Sequence, residues 1–197
     1  MSADVFAALL AYAFVTSVTP GPNNMMLMAS GVNFGFRRTI PHMLGIAVGF
    51  FVLLLAVGFG LGALIHAVPA LQTAMRVASV AYMLWLAWKI ATSKPAGEAQ
   101  AGSRPMTFLQ AAAFQWVNPK AWAMGLVAMG AYTNAENPVL SVLLVGTAFA
   151  LVNFPSVSVW AGFGVALRGL LADPKRLRIF NVTMALLIVA TLWPMLR

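Results

Sequence analysis

Three short stretches of this chain hold the residue types that could do chemistry. Thr19-Pro20-Gly21-Pro22-Asn23-Asn24 and Gln115-Trp116-Val117-Asn118-Pro119-Lys120 each set proline beside amide side chains inside an apolar run, and Asn153 stands two residues before Pro155 in another. Proline lacks an N–H, and the residue before it avoids the α conformation, so a helix must break between Thr19 and Pro22. Pro22 suits the first turn of a new half-helix, with Asn23 and Asn24 placing amide groups at its start. Asn118 and Pro119 read as the N-cap and first residue of a second half-helix, and Lys120 puts a cation at membrane depth. Helix starts carry partial positive charge and unpaired amides, so the chemistry on offer is noncovalent. A carboxylate would sit near the half-helix beginning at Pro119 with Lys120 as its counter-charge, and an ammonium against carbonyls freed around Thr19 to Gly21. The candidate substrate-binding residues are Pro20, Gly21, Pro22, Asn23, Asn24, Asn118, Pro119, Lys120 and Asn153. The plainer alternatives are that Lys120 snorkels to an interface, and that Asn153, Ser156, Ser158 and Trp160 only bond helices together. Pro155 alone reads as a simple kink.

Catalysis is not expected. The only acids are Asp4, Glu98, Glu136 and Asp173, outside the apolar runs or at their edges, so no buried carboxylate relays a proton and no pair holds a metal. Cysteine is absent, which excludes disulfides and thiolate ligands. HExxH and GxSxG are absent as well. No cofactor, no metal and no enzyme activity are therefore expected. His42 is the group best placed to titrate near neutral pH, but a lone interfacial histidine is more often a bystander.

The elements that must position these residues are membrane spans. Of 197 residues, 61% are hydrophobic and 8% charged, where a soluble domain carries about 25% charged. Apolar runs extend over about Val5–Phe34, Ile40–Ile65, Val68–Ala91, Phe108–Ala131, Val139–Leu167 and Ile179–Leu196; a span needs about 20 residues, so six are expected in an all-α, polytopic fold. The first reads as a retained span, not a removed signal peptide, since no basic region precedes it. One transmembrane domain covers 1–197, as a first half over about 1–92, a polar linker over about 93–105 and a second half over about 106–197. Three spans per half is odd, so halves that repeat one another are inverted, with the first and fourth spans interrupted. Substrate then sits near midplane at their interface. Arg37, Arg38, Lys89, Lys94, Arg104, Arg168, Lys175, Arg176 and Arg178 fall in alternate connections on one side, and only Arg197 falls on the other. The positive-inside rule makes the first side cytoplasmic and puts both termini outside. The net charge of +8 is thus a topology signal, and nucleic acid is not an expected partner. The expected partners are a small-molecule substrate and membrane lipid. The small-residue pairs Gly31/Gly35, Gly45/Gly49 and Gly58/Gly62 fit close packing within the chain, and a homodimer also stays open.

Thr19-Pro20-Gly21-Pro22-Asn23 followed by Gly31-x-x-x-Gly35, then Ala81-Tyr82-x-Leu84-Trp85-x-Ala87, then Phe108 with Gln115-x-x-Asn118-Pro119-Lys120-Ala121, resembles the LysE/RhtB family of amino-acid exporters over essentially the whole chain. The resemblance implies a bacterial inner-membrane secondary transporter that exports amino acids, driven by the proton-motive force. It places Pro20, Gly21, Pro22, Asn23, Asn118, Pro119 and Lys120 in the family motifs. With no acid to pair a second positive charge, a neutral substrate of the threonine/homoserine or leucine type is expected, carried by alternating access. Export of another small metabolite and a non-transporting membrane scaffold are the other readings.

Overall fold

The computed structural model describes residues 1–93, 104–134 and 136–193, with all the side chains among them except that of His66. The polar linker from Lys94 to Ser103 and the terminal Arg197 lie outside the described residues. The described residues are mostly helical, and none of them forms a strand. α1 (Ala3–Val18) and α2 (Pro22–Phe34) meet at a 53° bend. α3 (Phe36–Ala56) passes through a π turn into α4 (Gly62–Ala67), and α5 (Pro69–Ala91) follows. α6 (Phe108–Phe114) and α7 (Pro119–Tyr132) flank a short 3₁₀ turn; α8 (Pro138–Ala166) and α9 (Pro174–Ala190) complete the set.

Local chemistry fixes the boundaries. Prolines open α2, α5, α7, α8 and α9, where the missing N–H would have no partner in any case. Thr107 and Gln110 form a reciprocal capping box at α6, and Asp173 caps α9 through the Arg176 amide at 2.9 Å. α9 therefore starts five residues before the apolar run at Ile179, because capping and not hydropathy sets its first turn. Gly35 separates α2 from α3 at φ +81°, so it serves as a turn, and only Gly31 of that pair is a packing contact. Gly60, at φ +111°, kinks the chain between α3 and α4.

Among the described residues two helices are long and apolar enough by themselves to cross a bilayer, Phe36–Ile65 (mean hydropathy 2.6) and Pro138–Ala166 (1.9); the bent α1–α2 pair makes a third. The other three expected spans do not reach that standard on length and composition. α5 carries Gln72, Thr73, Arg76 and Lys89, α6 and α7 are separated by a break, and α9 has 17 residues.

The packing is inside-out relative to a water-soluble domain. Leu109, Leu151 and Leu186 are 75%, 71% and 64% exposed, whereas Asn24, Gln115, Asn118, Asn153 and Asn181 are buried. α2 and α1 lie on α8, α3 lies on α6 and on α8, and α5 lies on α9. Glycine brings backbones together at two of these crossings. A Cβ at Gly164 would fall 2.1 Å from the Met28 carbonyl oxygen, and one at Gly45 2.3 Å from that of Phe108. Gly58 and Gly62 likewise face side chains of this same chain, Val142, Met129 and Leu126.

Candidate functional site

The break between α1 and α2 leaves carbonyls without helical donors, and side chains meet those of Ser17, Val18 and Thr19. Asn24 Nδ2 donates to the carbonyls of Ser17 and Thr19, both at 2.9 Å. Trp160 Nε1 donates to Val18 at 3.1 Å, and Lys120 Nζ donates to Thr19 at 2.6 Å. Unpaired carbonyls are costly in apolar surroundings, so the chain supplies its own donors. The carbonyls from Ser17 to Thr19, expected in part to face a substrate ammonium, are already engaged.

The second break has a different cap. Asn118 Oδ1 accepts from the Lys120 amide at 3.1 Å, so the start of α7 is closed by its own residue. α2, in contrast, starts at Gly21 with no side-chain cap. Lys120 lies against that same glycine: a Cβ at Gly21 would come within 2.7 Å of Lys120 Cδ and 3.1 Å of Nζ. The uncapped start of one half-helix and the ammonium carried by the other thus converge on one place.

Asn23 and Gln115 tie the two breaks together directly. Asn23 Nδ2 donates to Gln115 Oε1 at 2.9 Å, and Gln115 Nε2 donates back to Asn23 Oδ1 at 3.1 Å and to the Ala111 carbonyl at 2.9 Å. Between the breaks opens a narrow cleft. Gly21, Asn23, Asn24, Asn118, Lys120 and Asn153 line it; Pro20, Pro22 and Pro119 do not, and act by shaping the backbone. Gln115, Thr16, Ser17, Phe50 and Met124 also belong to the wall. Gln115 lay in the motif read from the sequence without being chosen as a binding residue. Thr16 and Ser17 stand about one turn before the break, which is the signal that could have found them.

Asn153 presents the other pole of the cleft. Its Nδ2 donates to Ser17 Oγ at 3.3 Å, while its Oδ1 is buried without a hydrogen-bond partner. Ser156 and Ser158 bond back to the carbonyls of Val152 and Phe154 within α8, and Trp160 fastens α8 to α1, so of that polar group only Asn153 faces the cleft. No Asp or Glu lines it, and no cluster of three or more His, Cys, Asp or Glu occurs among the described residues.

An all-helical chain with an apolar exterior, a buried polar interior and a small cleft at two helix breaks has the character of a membrane transport protein. Residues 14–191 match the LysE type translocator family, and the chain belongs to that family. It is similar to proteins named "Cysteine/O-acetylserine efflux protein" from Escherichia coli strain K12, Escherichia coli strain UTI89 and Shigella sonnei strain Ss046. Each is 31% identical over 193 residues, covering 96% of either chain. No solved structure matches it. The protein is accordingly a transmembrane amino-acid efflux transporter of the LysE family.

Proposed function

We propose that the protein exports a small neutral amino acid across a bacterial inner membrane by alternating access at the cleft between the two helix breaks. The observation that carries this reading is the pairing, in one cavity, of a cationic end at Gly21 and Lys120 with an unpartnered acceptor at Asn153 Oδ1. That is the complement of an amino-acid backbone. The carboxylate takes Lys120 and the uncapped start of α2, and the ammonium takes Asn153 Oδ1 beside Ser17. A second cationic group on the substrate finds no carboxylate, so lysine and arginine are disfavoured. The named relatives point to cysteine and O-acetylserine within the neutral class, with threonine, homoserine and leucine as the comparison set.

The architecture we propose is six spans in two inverted halves. Exchanging the halves turns the α1–α2 contact with α8 into that of α6–α7 with α3, and both occur; α3 on α8 and α5 on α9 map onto themselves. The basic connections then face the cytoplasm and both termini lie outside.

Purified protein in proteoliposomes, preloaded with unlabelled substrate and offered labelled L-cysteine, O-acetyl-L-serine, L-threonine, L-homoserine, L-leucine or L-lysine, tests the function. Exchange of one or more neutral compounds, with L-lysine inert and activity down about tenfold or more in Lys120→Gln and Asn153→Leu, is expected. Exchange of none of them by folded protein overturns it, and exchange that survives both substitutions removes the cleft as the site.

A further inference from the structure

A second cavity opens among the later half of α2, the start of α3, the end of α5 and the segment entering α6. Its composition is graded. Lys89 and Arg104 are exposed, whereas Asn33 and His42 are 6% and 1% exposed. Asn33 Nδ2 donates to the Ala29 carbonyl at 2.7 Å and reaches Asn181 Oδ1 at 3.5 Å, while its Oδ1 has no partner. Neither ring nitrogen of His42 has one either. Buried polar atoms in native proteins are nearly always paired, so orphans clustered at one cavity point to a ligand that completes them. Tyr82 and Trp85 contribute aromatic surface, and among the described residues no Asp or Glu lines the space.

We propose that this cavity is a second amino-acid site, a loading site on the side of the basic connections, from which substrate moves to the cleft at the helix breaks. The ligand class rests on the export reading above. Its carboxylate lies at Lys89 and Arg104, and its ammonium at Asn33 Oδ1. A neutral imidazole offers one donor and one acceptor, so His42 receives a polar side chain such as a hydroxyl, thiol or ester. This repeats the polarity of the first site, cation at one pole and orphan amide oxygen at the other.

The two sites share a wall. α2 carries Asn23 on the first and Asn33 on the second, ten residues and about 15 Å apart along the helix. Tyr82 of the second cavity lies 5.4 Å, centroid to centroid, from Phe114, the neighbour of Gln115. Met26 lines the second cavity and belongs with Phe114 to one packed cluster. That apolar packing separates the sites, and passage requires it to open.

The chain has no native cysteine, so Ser93→Cys sets a single thiol at the wall of the second cavity. Its modification rate with a small maleimide is measured on purified protein, with O-acetyl-L-serine and then each other amino acid of the panel as protectant, L-cysteine excepted because its own thiol consumes maleimide. Saturable slowing is expected, retained when Lys120→Gln disables the first site and needing about tenfold more ligand in Lys89→Gln/Arg104→Gln. Equilibrium dialysis of labelled O-acetyl-L-serine on the cysteine-free protein supplies a second reading, two molecules bound per chain falling to one in Lys89→Gln/Arg104→Gln. No protection by any panel member, protection lost with Lys120→Gln, or protection indifferent to Lys89 and Arg104 overturns the second site. Protection without proteoliposome exchange keeps the site and removes the transport reading; exchange without protection does the reverse.

Discussion

Gly21 leaves room for Lys120: the space a methyl group would fill on the glycine is held by the lysine's Cδ and approached by its Nζ. The backbone at Gly21, with φ −172°, is extended and open to any residue, so Gly21→Ala strains nothing except this contact. Export is expected to fall about tenfold at matched membrane levels. The double variant Gly21→Ala/Lys120→Ala should be no worse than Lys120→Ala alone. Additive losses would show that the glycine acts through something other than the lysine.

The amide pair of Asn23 and Gln115 makes a stability prediction. Gln115 is fully buried, so Asn23→Leu strands part of it and should cost about 1–3 kcal/mol. Replacing both with leucine removes donors and acceptors together, and its cost should be smaller than the sum of the single changes. Thermal unfolding in detergent reads both quantities. A strictly additive pair would mean that the two bonds contribute nothing to each other.

Gly164 and Gly162 lie on the same helix and should respond oppositely to alanine. At Gly164 the new Cβ meets the α2 backbone at 2.1 Å, where no flexible side chain can yield; at Gly162 it meets nothing within 4 Å. Gly164→Ala is expected to abolish monodisperse folded protein on size exclusion. Gly162→Ala should be neutral or gain up to about 1 kcal/mol from helix propensity.

Gly60 also has open space around it, yet its φ of +111° is a conformation that side chains resist. Gly60→Ala should therefore cost about 1–3 kcal/mol by backbone strain alone. The loss should appear as a lower unfolding temperature, and equal stability of the two proteins would mean that the kink relaxes without penalty.

Orientation can be read with the same cysteine-free background. Asp4→Cys and Glu136→Cys should react with a membrane-impermeant maleimide in intact cells, and Arg37→Cys and Arg168→Cys only after permeabilisation. The reverse pattern would invert the protein in the bilayer, and a mixed one would break the six-span arrangement.

The helix breaks were legible because proline acts locally. Pro20, Pro22 and Pro119 remove particular amides whatever surrounds them, and Asn118 caps the amide two residues on. The partners of those breaks were not legible in the same way. Whether Gln115 meets Asn23 depends on how two halves of the chain approach in space, and whether Asn24 folds back on Ser17 and Thr19 depends on the angle of the bend. Thr16 is marked only by its place one turn before the break, since its hydroxyl bonds back to Tyr12 as threonines in apolar helices commonly do. Freed carbonyls are visible in a sequence, but the Asn24, Trp160 and Lys120 donors that meet those of Ser17, Val18 and Thr19 are not, because they come from three different helices. Gly35 and Gly60 were legible as small residues and not as turns, since spacing alone does not distinguish contact from backbone sign.

The Asn23–Gln115 pair also has a consequence in time. The two residues are 92 positions apart, and a ribosome adding about 5–20 residues per second makes Gln115 roughly 5–20 s after Asn23. Throughout that interval the nascent first half carries an asparagine whose partner does not yet exist, together with a Thr19 carbonyl still waiting for Lys120. The cleft is assembled only when the second half arrives, so a translation product halted before Gln115 lacks the wall that Gln115, Asn118, Lys120 and Asn153 supply.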